Sequence, residues 1–342
     1  MIQQLMNQKV GILATLIAGA ALSVYVYWMK HNKQRRRNPV KSLLMKPEDL
    51  QSLKWECVGH VSKVWLYPVK SCAPMTLQTA QAWPLGLTDG KIRDRSFMFA
   101  TEKGTMITGR MIGATVQIQP SLKDNTLTLR HESVDELSVN LDEVEENKIE
   151  TVSAIFGDPV PGLDCGDVAA QWLEKVLKKK ARLLYHSTIP SPRRTQEFVE
   201  QYPLMKGDDN ALYADQFPYM LMTRESVADL EKRVNFPLSP QNFRPNILVE
   251  GSNKPYDEDD WAYIKIGDAI FRNLSPCSRC IFTTVHYKTG IKEPNMEPIR
   301  TLRTYRKTDD SNSPFFGLNL GIELIGSISE LDEVFVTRFS QM

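Results

Sequence analysis

From Gly59 onward the chain breaks into short runs in which apolar and polar residues alternate, with Gly, Pro and Asp between them. Val61, Val64 and Leu66, the run Ser96 to Ala100, and Thr126 to Leu129 carry the pattern. Successive side chains of a strand point to opposite faces, so the pattern predicts half-buried strands joined by turns, as in a meander or a barrel. Asn246 to Val249, Ile264 to Ile266 and Ile281 to Val285 read as further strands. Two segments have helical spacing instead. One is Val168 to Leu177, with Lys178 to Lys180 suiting a helix C-terminus; the other is Thr223 to Arg233, with Thr223 as its cap. Pro190, Pro192, Pro203 and Gly207 predict a long loop between two halves over 189–210. The acidic stretch from Glu132 to Glu150 reads as a solvated edge or loop. The expected fold class is α+β and β-rich: a β-barrel-like first domain over 55–186 and a second β-barrel domain over 187–340, preceded by residues 1–40.

Those first residues hold an uncharged run, Val10 to Met29, between Lys9 and Lys30. A helix rises about 1.5 Å per residue, so about 20 apolar residues cross a bilayer. Tyr25, Tyr27 and Trp28 fall where an interfacial aromatic belt belongs, and Lys30, His31, Lys33, Arg35, Arg36 and Arg37 follow. The positive-inside rule then leaves the remainder of the chain facing the cytosol. A cleaved secretory signal is the competing reading, against which stand the length of the run and the basic flank after it. The expectation is a single N-terminal transmembrane anchor.

The chain has 42 Lys+Arg against 41 Asp+Glu, so no overall field points toward nucleic acid. Five cysteines, odd in number and scattered, fit a reducing compartment better than a disulfide framework. Two of them form Ser275-Pro-Cys-Ser-Arg-Cys280. Half a zinc site is one reading, although neither a second Cys-x-x-Cys nor a nearby His pair is present. A redox dithiol is another, although a β-branched run rather than a helix follows. Two cysteines in a strand and turn is the plainest.

Six motifs then occur in order: Tyr67-Pro-Val-Lys-Ser-Cys72, Arg93-Asp-Arg95, Asp164-Cys-Gly166, Asn242-Phe-Arg-Pro-Asn246, Cys277-Ser-Arg-Cys280 and Ser313-Pro-Phe-Phe-Gly317. Together they make the chain resemble the MOSC-domain proteins, and among these the amidoxime-reducing components, from about Val61 to Val336. The anchor and the loop with Pro192-Arg-Arg194 match as well. The resemblance implies an N-terminal MOSC β-barrel domain followed by a MOSC domain, enclosing a molybdenum-molybdopterin cofactor whose metal takes one cysteine thiolate from the protein. That cysteine would be Cys277, as catalytic residue and metal ligand. A soft thiolate suits a metal already bound by sulfur, and Arg279 is a nearby cation able to favour it. By the same resemblance Lys70, Ser71, Arg95, Gln216, Phe217, Asn242, Arg244, Ser275 and Asn319 would contact the cofactor, the charged ones through its phosphate. Gln216 and Phe217 would do so through backbone groups, because relatives carry small hydroxyl residues before the proline there.

The implied activity is two-electron reduction of small N-hydroxylated compounds. Without a Gly-x-Gly-x-x-Gly loop or a Cys-x-x-Cys-His signal, no intrinsic haem, flavin or NAD site is expected, so electrons would come from outside. In the family the donors are cytochrome b5 and NADH-cytochrome b5 reductase, and the implied location is the mitochondrial outer membrane, the endoplasmic reticulum being the other candidate. Arg193 and Arg194 would steer an acidic donor. The competing function is a non-catalytic cofactor or sulfur-carrier module of the cofactor-sulfurase type, with Cys277 as the carrier. No aminotransferase-like domain precedes it here.

Overall fold

The computed structural model describes residues 42–90, 92–186, 199, 201–307 and 312–342. The expected anchor, Val10 to Met29, and the pair Arg193 and Arg194 lie outside the described residues. Among the described residues no helix is long and apolar enough to cross a membrane.

Seven strands close into a barrel: β1 (Glu56–Leu66), β2 (Tyr219–Thr223), β3 (Ile247–Glu250), β4 (Trp261–Ile266), β5 (Ala269–Ser278), β6 (Phe315–Leu324) and β7 (Glu333–Arg338). Their order around the barrel is β1-β3-β2-β6-β5-β4-β7, with β7 returning to β1. An odd number of strands cannot alternate in direction and still close, so one neighbouring pair must be parallel. That pair is β2 and β3, with Leu221 opposite Ile247. Parallel neighbours need a crossover, which the helix α3 (Arg224–Val234) supplies. Thr223 caps it by accepting from the Ser226 amide, as the sequence predicts, and Asn235 ends it in the left-handed region.

Alternation decides which side of each strand faces inward. Val64 and Leu66 of β1, Tyr219 and Leu221 of β2, and Ile247 and Val249 of β3 share one buried cluster with residues from the other four strands. The alternate residues of the same strands, Trp65, Met220, Met222 and Leu248, pack outward with Val227 and Leu230 of α3. A one-residue slip would exchange the two sets, so register here is specified by burial itself.

The rest of the first half includes a five-stranded sheet in which Phe97–Ala100 lies between Arg182–Tyr185 and Met106–Ile107, with the hairpin Glu150–Ile155 and Asp158–Asp164 completing it. The helix α2 (Gly166–Leu177) sets Trp172, Leu173 and Val176 into a core with Phe97, Phe99 and Leu183, and ends at Lys178 in the left-handed region. The acidic stretch is an edge strand, Val134–Asn140, and a short helix, α1 (Leu141–Asn147), capped by Asn140. A further strand, Gly326–Ser329, leaves the barrel after β6 to pair with Thr79–Trp83.

One strand expectation is corrected. Ile281–Thr284 is a 3-10 helix. The Thr283 hydroxyl donates to the Cys280 carbonyl at 3.1 Å and the Thr284 hydroxyl to the Ile281 carbonyl at 2.7 Å. Such hydroxyl bonds to the backbone three residues earlier offer a turn that competes with the strand these β-branched residues otherwise favour.

Candidate functional site

One mouth of the barrel opens into a cleft of about 290 Å³. The chain leaving β1 contributes Lys70 and Ser71, the segments entering β2 and β3 contribute Gln216, Phe217, Asn242 and Arg244, and the end of β5 contributes Cys277. Arg95 comes from the turn before Phe97–Ala100 and Asn319 from β6. Nine of the ten residues expected from the sequence therefore line one cleft. Ser275 is buried behind the lining, where its hydroxyl accepts from Asn319 Nδ2 at 3.1 Å. The Asn242 amide donates to the carbonyls of Thr283 and Val285, at 3.3 and 3.1 Å, and so holds the 3-10 turn beside Cys280.

Among the described residues five cations line the cleft, Lys70, Arg95, Arg110, Arg244 and Arg279, against one carboxylate, Asp215. Four of the five are held by hydrogen bonds or ion pairs. Lys70 Nζ donates to the Tyr213 carbonyl at 2.7 Å and pairs with Asp215. Arg95 pairs with buried Asp94 and donates to the Arg244 carbonyl at 3.2 Å. Arg244 Nη1 donates to the Cys72 carbonyl at 2.8 Å, and Arg279 donates to the carbonyls of Phe316 and Phe243 at 2.9 and 3.0 Å. The guanidinium carbons of Arg95 and Arg244 lie 4.3 and 4.2 Å from the centroid of the Tyr67 ring, a cation–π arrangement that holds two like charges in place. Asp94 in turn accepts from the Tyr67 amide at 2.8 Å and from Asn246 Nδ2 at 2.9 Å, tying the chain after β1 to the start of β3.

Two signs of strain accompany this order. Ser71, Arg95 and Arg244 have φ of 73°, 51° and 57°, the left-handed region, which costs a non-glycine residue about 1–3 kcal/mol. In addition, Arg244 Nη2, Arg279 Nη2 and the Thr108 hydroxyl are buried without hydrogen-bond partners among the described residues. Burial, and then the neighbouring charge of Arg95, lower the Arg244 pKa to about 10. Unpaired guanidinium N–H groups in a cationic cleft fit an anionic ligand whose oxygens accept from planar donors, as phosphate does. Burial raises the Cys277 thiol above its ordinary range; Arg279 and Arg95 oppose the rise, while Asp215 and Cys280 add to it. Cys280 also lines the cleft, but among the described residues no group of three or more His, Cys, Asp or Glu is placed to hold a metal ion. Burial likewise pushes up the thiols of Cys72 and Cys165.

Thr108, Arg110, Phe156 and Phe282 also line the cleft, and no motif in the sequence points to them. They reach it through packing between distant segments. A Cβ on Gly109 would stand 2.3 Å from the Phe282 ring and displace it, so glycine lets the Thr108–Arg110 segment lie against the turn after Cys280. The one local signal is Phe156-Gly157, two residues between alternating runs.

The barrel and its cleft correspond to the MOSC class of proteins: residues 208–335 match a model described as the MOSC domain, and residues 58–180 one described as the MOSC N-terminal beta barrel domain. Mitochondrial amidoxime reducing component 2 of Bos taurus is 35% identical over 285 residues, 81% of this chain and 83% of that one. The component 2 protein of Homo sapiens is 32% identical over 332 residues, covering 95% and 92%. Component 1 of Homo sapiens is 33% identical over 286 residues, covering 82% and 83%. The chain belongs to the MOSC-domain family, among relatives named mitochondrial amidoxime-reducing components.

Proposed function

We propose that this protein is a molybdenum-cofactor-dependent reductase of N-hydroxylated compounds such as amidoximes, with Cys277 as the metal's protein ligand. The single observation that supports it most is the presence, in one cleft, of Cys277 and of buried guanidinium N–H groups on Arg244 and Arg279 that have no hydrogen-bond partner among the described residues. When bound, the cofactor supplies two electrons which, with two protons, convert N–OH to N–H and water.

The chain's own residues do the rest. Lys70, Ser71, Arg95 and Arg244 hold the phosphate of the pterin, and the left-handed backbone at the last three aims their groups before the ligand arrives. Asn319 and the backbone at Gln216 and Phe217 border the pterin, with Ser275 setting the Asn319 amide. Cys277 would hold the metal as a thiolate, the form that the neighbouring charge of Arg279 favours. Electrons reach the site from cytochrome b5 and its NADH-dependent reductase. The names of the relatives support a mitochondrial location, the uncharged run Val10 to Met29 and its basic flank support a membrane anchor with the rest of the chain facing the cytosol, and the two together favour the outer membrane.

The test is molybdenum content, pterin content and amidoxime reduction in Cys277→Ala and Cys280→Ala. The first variant is expected to lose molybdenum and activity while keeping pterin through its phosphate. The second keeps most of both and loses about 1 kcal/mol of stability. Equal loss of activity in two folded, pterin-loaded variants would remove Cys277 as sole ligand. A molybdenum-loaded wild type that reduces no amidoxime would favour a cofactor or sulfur carrier.

A further inference from the structure

We infer that Phe156, backed by Arg110, is the specificity-determining wall of the cleft and seats the planar aromatic body of an N-hydroxylated substrate; this rests on the reductase reading above. Ile155 pairs with Asp158, so Phe156 and Gly157 alone connect the two strands of the hairpin. Their φ values are 51° and 92°. A two-residue loop with positive φ at both positions is the type I′ turn, whose first position favours Asn, Asp or Gly because larger side chains crowd the backbone. Phenylalanine is a strained choice there. Burial does not compensate for it, since the residue is 53% exposed.

What the ring gains is its position. It lines the cleft that holds Cys277, and the Arg110 guanidinium carbon lies 5.1 Å from its centroid. The backbone that carries Arg110 is anchored in turn, because Gly109 packs on the Phe282 ring and the Thr108 carbonyl accepts from the amides of Met111 and Ile112, at 2.8 and 3.0 Å. A strained, exposed aromatic ring with a cation against it at a polar cleft is a stacking surface, and strain of this kind persists where a ligand uses it. An aryl amidoxime places its ring on this wall and its N-hydroxyl group deeper in the cleft. A small alkyl amidoxime has nothing to stack.

The experiment compares benzamidoxime with acetamidoxime in the full-length, cofactor-loaded protein. Phe156→Asn suits the turn better than phenylalanine, so the variant folds; Phe156→Tyr keeps the ring. The ratio of kcat/KM for the aryl over the alkyl substrate is expected to fall about fivefold to tenfold in Phe156→Asn and to hold in Phe156→Tyr. Binding of benzamidoxime, measured without an electron donor so that no turnover occurs, should weaken by the same factor. An unchanged ratio, or equal losses for both substrates, overturns the assignment of Phe156. Should the wild type reduce neither compound, the reductase reading fails on its own, and the binding arm still decides the wall: equal benzamidoxime affinity in wild type and Phe156→Asn overturns it.

Discussion

Glu258 offers a direct check on how the crossover that closes the barrel is held. It sits just before β4 with no exposed surface, and accepts from the Ser226 hydroxyl at 2.8 and 3.0 Å and from the Thr223 hydroxyl at 2.9 Å, both at the start of α3. Burial pushes its carboxyl up to about 7, more than the backbone and hydroxyl donors pull it down, and Asp259 adds to the rise. Because the folded value lies above the unfolded one, the folded state holds the proton more tightly. That stability is fully present below about pH 4.5 and is lost as pH rises through about 7. A shift of this size corresponds to about 3 kcal/mol at most. Glu258→Gln keeps an acceptor for both hydroxyls and cannot ionise. Urea unfolding of both proteins from pH 4.5 to 8 should give similar stabilities at the acid end, with the variant ahead by up to about 3 kcal/mol at pH 8. Parallel curves, or a wild type that gains on the variant as pH rises, would refute the reasoning.

Two further outcomes follow from buried charge. Arg272 is 1% exposed and is held by Asp209 at 2.7 and 2.9 Å and by Glu323 at 2.6 Å, so Asp209→Ala leaves a half-paired buried cation. The expected cost is about 3 kcal/mol, read as a lower urea midpoint. Replacing Arg244 with Met removes a buried charged donor worth about 2 kcal/mol to an anion, so pterin retained by the purified protein should fall at least tenfold, as measured by fluorescence of the released pterin. Retention at the wild-type level would take Arg244 out of the phosphate site.

Local pattern made much of this molecule readable. Alternation located Val61 to Leu66, Phe97 to Ala100 and Ile264 to Ile266 on strands, and the Thr223 cap located α3, because each depends on neighbours within a few residues. The turn at Ile281–Thr284 escaped for a reason of the same scale: threonine hydroxyls bonded back to the chain outweighed β-propensity. The cleft divides similarly. Lys70, Arg95, Arg244 and Cys277 belong to compact motifs, whereas Thr108, Arg110 and Phe156 reach it only because distant segments pack, Gly109 against Phe282 above all. Nor could the pattern show that β1 would pair with β3 and β7, since strand alternation specifies a face and not a partner.

That pairing sets a timetable for synthesis. The first barrel strand to leave the ribosome has neighbours that emerge roughly 190 and 280 residues later, and contacts so distant along the chain are the slowest to form. Until Glu333 to Arg338 has been made, β1 and β4 each keep an unpaired edge, a surface that recruits other strands and aggregates. The mouth of the barrel, with Cys277 on the penultimate strand to be translated before that seam, is therefore completed after synthesis of β7. A nascent chain stalled short of that strand is exposed to chaperones as an open sheet.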